Sequence, residues 1–205
     1  MRPNYAQDAP PTTISVGGVH YPCNVDYRVW IEVLRVMRRI DPSAQSQENL
    51  RRIDEIQLLV FGGVLAEEDP AEVLTAVAEF SRGYPGLPVQ GGTDAPLFSF
   101  DWDINAIVIA IRNQSGIDLS YRRTEPFHWW EFLLEFQTLC GEHYILNLME
   151  ARSYRGRDKE LLRRKRMCAL PAEETEEERA AAEAFSAMFE GGGEGETNDA
   201  DRDED

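Results

Sequence analysis

The sequence predicts a mainly α-helical fold, namely a compact helical domain with a small N-terminal β-hairpin and a disordered, acidic C-terminal tail. Three observations lead to this prediction. Apolar residues recur at spacings of three and four through most of the chain, which is the pattern of helices that bury one side. Two adjacent glycines divide a β-branched stretch near the N-terminus, as in a two-residue hairpin turn. The C-terminal end is rich in glutamate, aspartate and glycine and holds too few apolar residues to form a core.

The predicted organisation is one domain with two appendages. Residues 1–12 are polar and contain prolines, so we expect a flexible arm. Residues 13–171 form the helical core domain and include a loop at 83–97, where glycine and proline are concentrated. Residues 172–205 form an acidic tail in which a short helix precedes disorder. A chain of 205 residues is long enough for one core of ordinary size.

The net charge is unevenly distributed along the chain. Of the total of −16, the tail contributes −12, from 14 acidic and 2 basic residues, which leaves −4 for residues 1–171. The folded part is therefore close to neutral. The N-terminus lacks an apolar signal segment, and no run approaches the roughly 18 apolar residues of a membrane span, so we expect neither secretion nor a membrane partner.

The N-terminal elements are a hairpin and a helix. The stretch ISVGGVHYP surrounds Gly17 and Gly18, which permit the positive φ angles of a tight turn. Beyond it the apolar spacing becomes helical, and Asn24 or Asp26 can cap the start of that helix.

The middle of the chain predicts three more helices. The first runs from about Ser46 to Phe61, and the second starts where Asp69 precedes a proline. The third is capped by Asp101 or Asp103. Its β-branched content leaves a strand as an alternative.

The helix predicted from about Glu125 to Leu139 is apolar almost all round, which places it at the centre of the fold. It carries the adjacent Trp129 and Trp130, which we expect to share one core with Trp30. The remaining polar stripe of this helix consists of His128, Glu131, Glu135 and Thr138.

One group of residues matches the start of a calcium-binding loop. Asp101, Asp103 and Asn105 occupy the first ligand positions of an EF-hand. The match then ends, because Ala106 replaces the turn glycine and Arg112 replaces the bidentate glutamate. Helix capping explains these aspartates better.

Two further groups fail as metal or catalytic sites. His128 and Cys140 would lie about 18 Å apart on one helix, at about 1.5 Å per residue, so they cannot share a metal ion with His143. Glu131 and Glu135 could supply acid–base chemistry, but their spacing is more typical of an ion-paired stripe beside His128. The three cysteines form no CxxC pair. We therefore expect no enzymatic activity, metal ion or cofactor.

The basic segment 152–166 is the strongest electrostatic feature of the core. It follows a helix predicted at about 143–152, and Asp158 caps a short basic helix within it. Basic helices can follow phosphates, but the near-neutral core, the scarcity of stacking aromatics and the acidic tail favour a solvated face or a protein-docking face over nucleic acid. The partner-binding candidates in this segment are Arg155, Arg163, Arg164, Lys165 and Arg166.

The acidic tail contains a second set of partner-binding candidates. Phe185, Met188 and Phe189 stand at helical spacing among many glutamates. Such apolar residues are typical of a segment that docks on a partner or covers the protein's own binding surface.

Three blocks of the sequence resemble the bacteriophage Gp-fifteen family. YPCNVDYRVWIEV at 21–33 is similar to the opening of the family, and FSFDWDINAIVIAIRNQSGIDL at 98–119 is similar to its middle block. FHWWEF at 127–132 resembles the His-Trp-Trp signature formed here by His128, Trp129 and Trp130. YR at 154–155 and KRMCALP at 165–171 resemble the basic close.

The resemblance implies a tail assembly chaperone, because the genes of this family lie just before the tape-measure gene in long-tailed phages. Such a protein holds the tape-measure chain soluble in the host cytoplasm while tube subunits polymerise round it. The implied partners are the tape-measure protein and, in addition, tail tube subunits or a companion chaperone. The sequence is also compatible with a homo-oligomer. Two rival hypotheses are a structural minor tail component of the virion and a nucleic-acid-associated phage protein that uses residues 152–166.

Overall fold

The computed structural model describes residues 5–41, 46–84 and 96–171. Within these ranges the chain forms two strands and seven helices, which confirms the predicted mainly α-helical fold. In chain order they are β1 (Thr13–Val16), β2 (Val19–Pro22), α1 (Tyr27–Arg38), α2 (Gln47–Phe61), α3 (Pro70–Phe80), α4 (Phe100–Ser115), α5 (Trp129–Gln137), α6 (Tyr144–Ser153) and α7 (Lys159–Met167).

The predicted hairpin is confirmed. β1 and β2 pair antiparallel, in the register Thr13 with Pro22 and Val16 with Val19. Both turn residues are glycines with positive φ, 56° at Gly17 and 86° at 18, as a two-residue turn between twisted strands requires. A two-stranded ribbon is marginal alone, and β1 accordingly packs against α3.

Asp26, one of the two residues predicted to cap α1, and Asp69, predicted to cap α3, occupy those positions. The Asp26 carboxylate accepts a hydrogen bond from the Arg28 amide at 2.9 Å, at the start of α1. Ser46 and Asp69 cap α2 and α3 in the same way. Gly62, at φ 74°, ends α2 in the left-handed conformation that glycine adopts without strain.

The prediction for the start of α4 was wrong by a few residues. Ser99 is the cap, and its hydroxyl accepts a hydrogen bond from the Asp101 amide. Neither Asp101 nor Asp103 caps the helix, because both lie within its first turn, where a carboxylate still favours the helix dipole. The segment is a helix and not the alternative strand.

The prediction for the start of α5 was also wrong. The helix begins at Trp129 rather than near Glu125, because the backbone before it pairs with the chain that enters α1. The Tyr27 amide donates to the Phe127 carbonyl at 2.9 Å, and the Trp129 amide donates to the Val25 carbonyl at 2.7 Å. These bonds hold the intervening backbone extended, so it cannot join the helix.

One core cluster contains the buried aromatic side chains of α1, α3, α4 and α5. The Trp30 ring stacks on the Phe80 ring at 4.7 Å and on the Trp129 ring at 6.3 Å. Trp130 packs against Phe80 at 5.3 Å. All three tryptophans are buried.

The chain divides into two compact units, with the boundary after Ala169. Only Leu170 and Pro171 of the second unit are among the described residues, and neither belongs to a helix or strand. The predicted flexibility of 1–12 and disorder of 172–205 stay predictions. The described part of the arm, from Tyr5 onward, does contact the core, with the Tyr5 and Tyr84 rings 5.4 Å apart.

Candidate functional site

The basic segment 152–166 spans the end of α6 and most of α7. Asp158 caps α7 as predicted, accepting hydrogen bonds from the amides of Glu160 and Leu161. No residue of α7 is buried, which distinguishes it from the other six helices among the described residues. The helix therefore lies on the surface of the domain.

Arg152 belongs to the core rather than to this surface. Its guanidinium pairs with both carboxylate oxygens of Asp103, at 2.6 and 3.1 Å, and the two side chains are only 9% and 5% exposed. The same guanidinium donates to the Leu97 carbonyl at 2.9 Å and to the Cys168 carbonyl at 2.7 Å. Buried charges are tolerated when they are paired and hydrogen-bonded in this way. Arg152 thus joins α4, α6 and the end of α7.

A second attachment holds α7 to the end of α6. The Lys165 ammonium donates to the Tyr154 carbonyl at 2.8 Å, and the Tyr154 hydroxyl accepts from the Asp158 amide at 3.1 Å. A Cβ added at Gly156 would lie 2.1 Å from that hydroxyl, so a larger residue there would displace the Tyr154 ring. Among the predicted candidates, Lys165 is therefore committed to holding the helix in place.

The outer side of α7 carries Arg163, Arg164 and Arg166, which we name the α7 cationic face. All three are exposed, and no described carboxylate forms an ion pair with any of them. Arg155 is also exposed, but it has an interaction partner. Arg164 and Arg166 lie in the last turn of α7, where a cation favours the helix dipole by about 0.3–1 kcal/mol. This contribution does not require three arginines, so the face has charge available for a partner.

The His-Trp-Trp signature has a structural explanation at each position. His128 caps α5, because its Nδ1 accepts from the Trp130 amide at 3.0 Å, and its Nε2 donates to the Pro11 carbonyl at 3.0 Å. The indole nitrogens of Trp129 and Trp130 donate to the carbonyls of Ser81 and Phe80, at 2.9 and 2.8 Å. These three residues therefore link α5 to the end of α3 and to the N-terminal arm.

The titration of His128 follows from its surroundings. Burial lowers its pKa, against the opposing effects of the hydrogen bond to Pro11 and the charge of Glu131. The neutral ring is the form that can accept at Nδ1 while it donates at Nε2. The ring is thus adapted to capping rather than to proton transfer.

The other residues considered as metal ligands or catalytic groups occupy different positions in the fold. Cys140 is exposed in the turn after α5, and His143 stands at the cap position of α6. Glu131 and Glu135 are half-buried on α5. Within the ranges that the structure describes, no three histidine, cysteine, aspartate or glutamate side chains are grouped so as to hold a metal ion.

Cys23 is an inert thiol. Burial raises the pKa of this thiol to about 12, so it stays protonated at neutral pH and is a poor nucleophile.

The ion pair that anchors the basic segment was not predicted from the sequence. The Asp103–Arg152 pair joins residues 49 positions apart, so no local pattern indicated it. Phe185, Met188 and Phe189, which were predicted to bind a partner, lie outside the described residues.

In the part of the chain that is described, no helix has both the length and the apolarity to cross a bilayer.

A comparison with models of protein families identifies the family of this chain. The family model described as "Bacteriophage Gp15 protein" matches residues 7–172. Neither the curated proteins nor the solved structures contain a significant match. The matched range extends from the N-terminal arm past α7, so it includes both the aromatic core and the cationic face. The chain is therefore a member of the bacteriophage Gp15 family.

Proposed function

We propose that this protein is a tail assembly chaperone that binds the tape-measure protein during phage tail morphogenesis in the host cytoplasm and catalyses no reaction. Membership of the Gp15 family supports a phage role. The tape-measure protein is the client that the resemblance to this family implies, because genes of the family lie just before the tape-measure gene. The observation that carries the proposal is the α7 cationic face, an exposed set of arginines without described ion-pair partners on a helix that contributes no side chain to the core.

The geometry favours a protein client over nucleic acid. α7 contains no aromatic residue on which bases could stack. Met167 and Leu161, both exposed, stand beside its arginines, and such a mixture of apolar and cationic side chains is typical of protein interfaces. Residues 1–171 carry a net charge of −4, which opposes binding to a long polyphosphate.

The tail contributes a second proposed contact with the client. Phe185, Met188 and Phe189 would offer apolar side chains to the same partner. Deletion of 172–205 is expected to weaken the complex while the domain keeps its melting temperature, because the truncated chain retains every residue of the described core cluster. Equal affinity of the truncated and full chains would remove the tail from the mechanism.

The proposal is tested by co-purification and by analysis of finished particles. The full chain, carrying an affinity tag, should capture the tape-measure protein from infected cells and should be absent from purified virions. Tail tube subunits or a companion chaperone in the same eluate would identify further members of the complex. Stoichiometric recovery of the protein in virions would instead support the structural minor tail component.

A further inference from the structure

Two large apolar side chains are exposed at positions next to the Arg152 joint. Trp102, in the first turn of α4, is 65% exposed, and Met167, the last residue of α7, is 77% exposed. Asp103, the residue after Trp102, is buried, and Cys168, the residue after Met167, is half-buried. Exposed tryptophan is uncommon on a protein surface, and it is enriched where partners bind.

The Arg152 guanidinium contacts the residue that follows each of these two side chains in the sequence. Asp103 follows Trp102 in the sequence, and Cys168 follows Met167. The Arg152 guanidinium contacts the carboxylate of Asp103 at 2.6 Å and the carbonyl of Cys168 at 2.7 Å. The start of α4 and the end of α7 therefore approach the same planar group.

This arrangement is held rigidly. A bidentate pair between arginine and a carboxylate fixes the relative orientation of both groups, and here burial removes competing water. Lys165 and Tyr154 provide the second fixed attachment of α7. The side chains of Trp102 and Met167 are thus presented by a preformed frame, which reduces the entropy lost on binding.

We infer that Trp102, Met167 and the α7 cationic face form one docking surface for an acidic, amphipathic segment of the client protein. This inference rests on the proposed function, and it specifies the chemistry of the client segment. The chemistry of the client segment follows from complementarity with this surface. Carboxylates would pair with Arg163, Arg164 and Arg166, and an adjacent hydrophobic stripe would contact the two apolar side chains. Tryptophan, methionine and arginine are the residue types enriched in the cores of protein interfaces.

The test measures the affinity of the full chain for the purified tape-measure protein, with single variants Trp102→Ala and Met167→Ala. Each substitution removes an exposed side chain, so the melting temperature should stay unchanged while the dissociation constant rises about tenfold, equivalent to about 1.4 kcal/mol. Leu58→Ala and Tyr121→Ala are matched controls, since both remove exposed apolar side chains elsewhere and should leave the affinity unchanged.

The acidic character of the segment is tested with salt. Raising NaCl from about 50 to about 300 mM should weaken binding by the wild-type chain. The variant with Arg163→Gln, Arg164→Gln and Arg166→Gln should bind weakly at both concentrations and lose most of this salt dependence.

The outcomes separate the inference from the proposed function. A wild-type chain that does not bind the tape-measure protein overturns both. If the wild type binds and Trp102→Ala and Met167→Ala bind equally well, the docking surface is wrong and the chaperone proposal stands. If the same variants instead abolish tight binding of a single-stranded DNA oligonucleotide, the surface serves nucleic acid and the inference is overturned.

Discussion

The segments around α5 and α7 differ in almost every physical respect, although both contribute blocks that resemble the same family. α5 buries five of its nine residues, including Trp129 and Trp130, whereas α7 buries none. The cap and indole groups at the start of α5 are bonded internally, while the arginines of the α7 cationic face have no described ion-pair partner. The comparison indicates that the block around α5 stabilises the fold, and that the exposed basic block is where the proposed client would bind.

The largest expected effect lies in the α5 region. Trp130→Ala should reduce the free energy of unfolding by roughly 3–5 kcal/mol, because it removes a buried ring packed on Phe80 and leaves the Phe80 carbonyl without its donor. Urea denaturation followed by circular dichroism measures the change. A loss below about 1 kcal/mol would place Trp130 among surface residues and remove the contrast between the two segments.

Arg152 sharpens the comparison, because it belongs to the basic segment but is expected to behave like α5. Arg152→Ala should cost about 3 kcal/mol, since it leaves the Asp103 carboxylate buried without its partner. The matched change Arg164→Ala, on the exposed side of α7, should alter stability by less than about 0.5 kcal/mol. Similar losses of stability in Arg152→Ala and Arg164→Ala would show that burial does not distinguish Arg152 from the other arginines of the segment.

The cap of α5 predicts a dependence of stability on pH. Because burial lowers the pKa of His128 in the folded state, the unfolded chain takes up this proton more readily, near a pH of about 6.5. The contribution of His128 is therefore complete above that pH and is lost as the pH falls toward the lower folded pKa. A loss of about 1 kcal/mol is expected, the usual value of a helix cap.

His128→Asn provides the control for that titration. Asparagine can accept the same cap hydrogen bond and does not titrate, so the slope of stability between about pH 7 and pH 5 should become shallower. The remaining histidines, His20 and His143, are present in both proteins and cancel in the comparison. Identical slopes in the two proteins would assign the pH dependence to other groups.

The smallest effect on stability is expected in α7. The combined change of Arg163, Arg164 and Arg166 to glutamine should alter the free energy of unfolding by about 0.5 kcal/mol or less, because the three side chains are exposed and make no described ion pair. Thermal unfolding of the variant measures this. A melting temperature several degrees below that of the wild type would mean that the three arginines stabilise the fold and are not free for the proposed interaction.

Much of the fold could be predicted from local signals. The glycine pair at 17–18 and the caps Asp26, Ser46, Asp69 and Asp158 act through neighbouring atoms, so a short stretch of sequence contains all the information required. The start of α5 could not be predicted this way. It depends on hydrogen bonds with Val25 and Tyr27, about a hundred residues away, and on histidine in place of the usual capping residues.

The candidate site was predicted only in part, for the same reason. A run of cations indicates a charged helix, but it does not distinguish the buried Arg152 and the tethered Lys165 from the exposed arginines between them. That division depends on Asp103 and Tyr154, whose positions come from tertiary packing. The exposure of Trp102 likewise became apparent only when the packed sides of α4 were known.

The most direct test of the contrast is co-expression of the tape-measure protein with the wild-type chain or with the variant carrying Arg163→Gln, Arg164→Gln and Arg166→Gln. We predict that the wild type keeps the tape-measure protein in the soluble fraction, whereas the variant, folded and equally abundant, lets it sediment. A variant that keeps the client as soluble as the wild type does would contradict the assignment of client binding to the exposed helix α7.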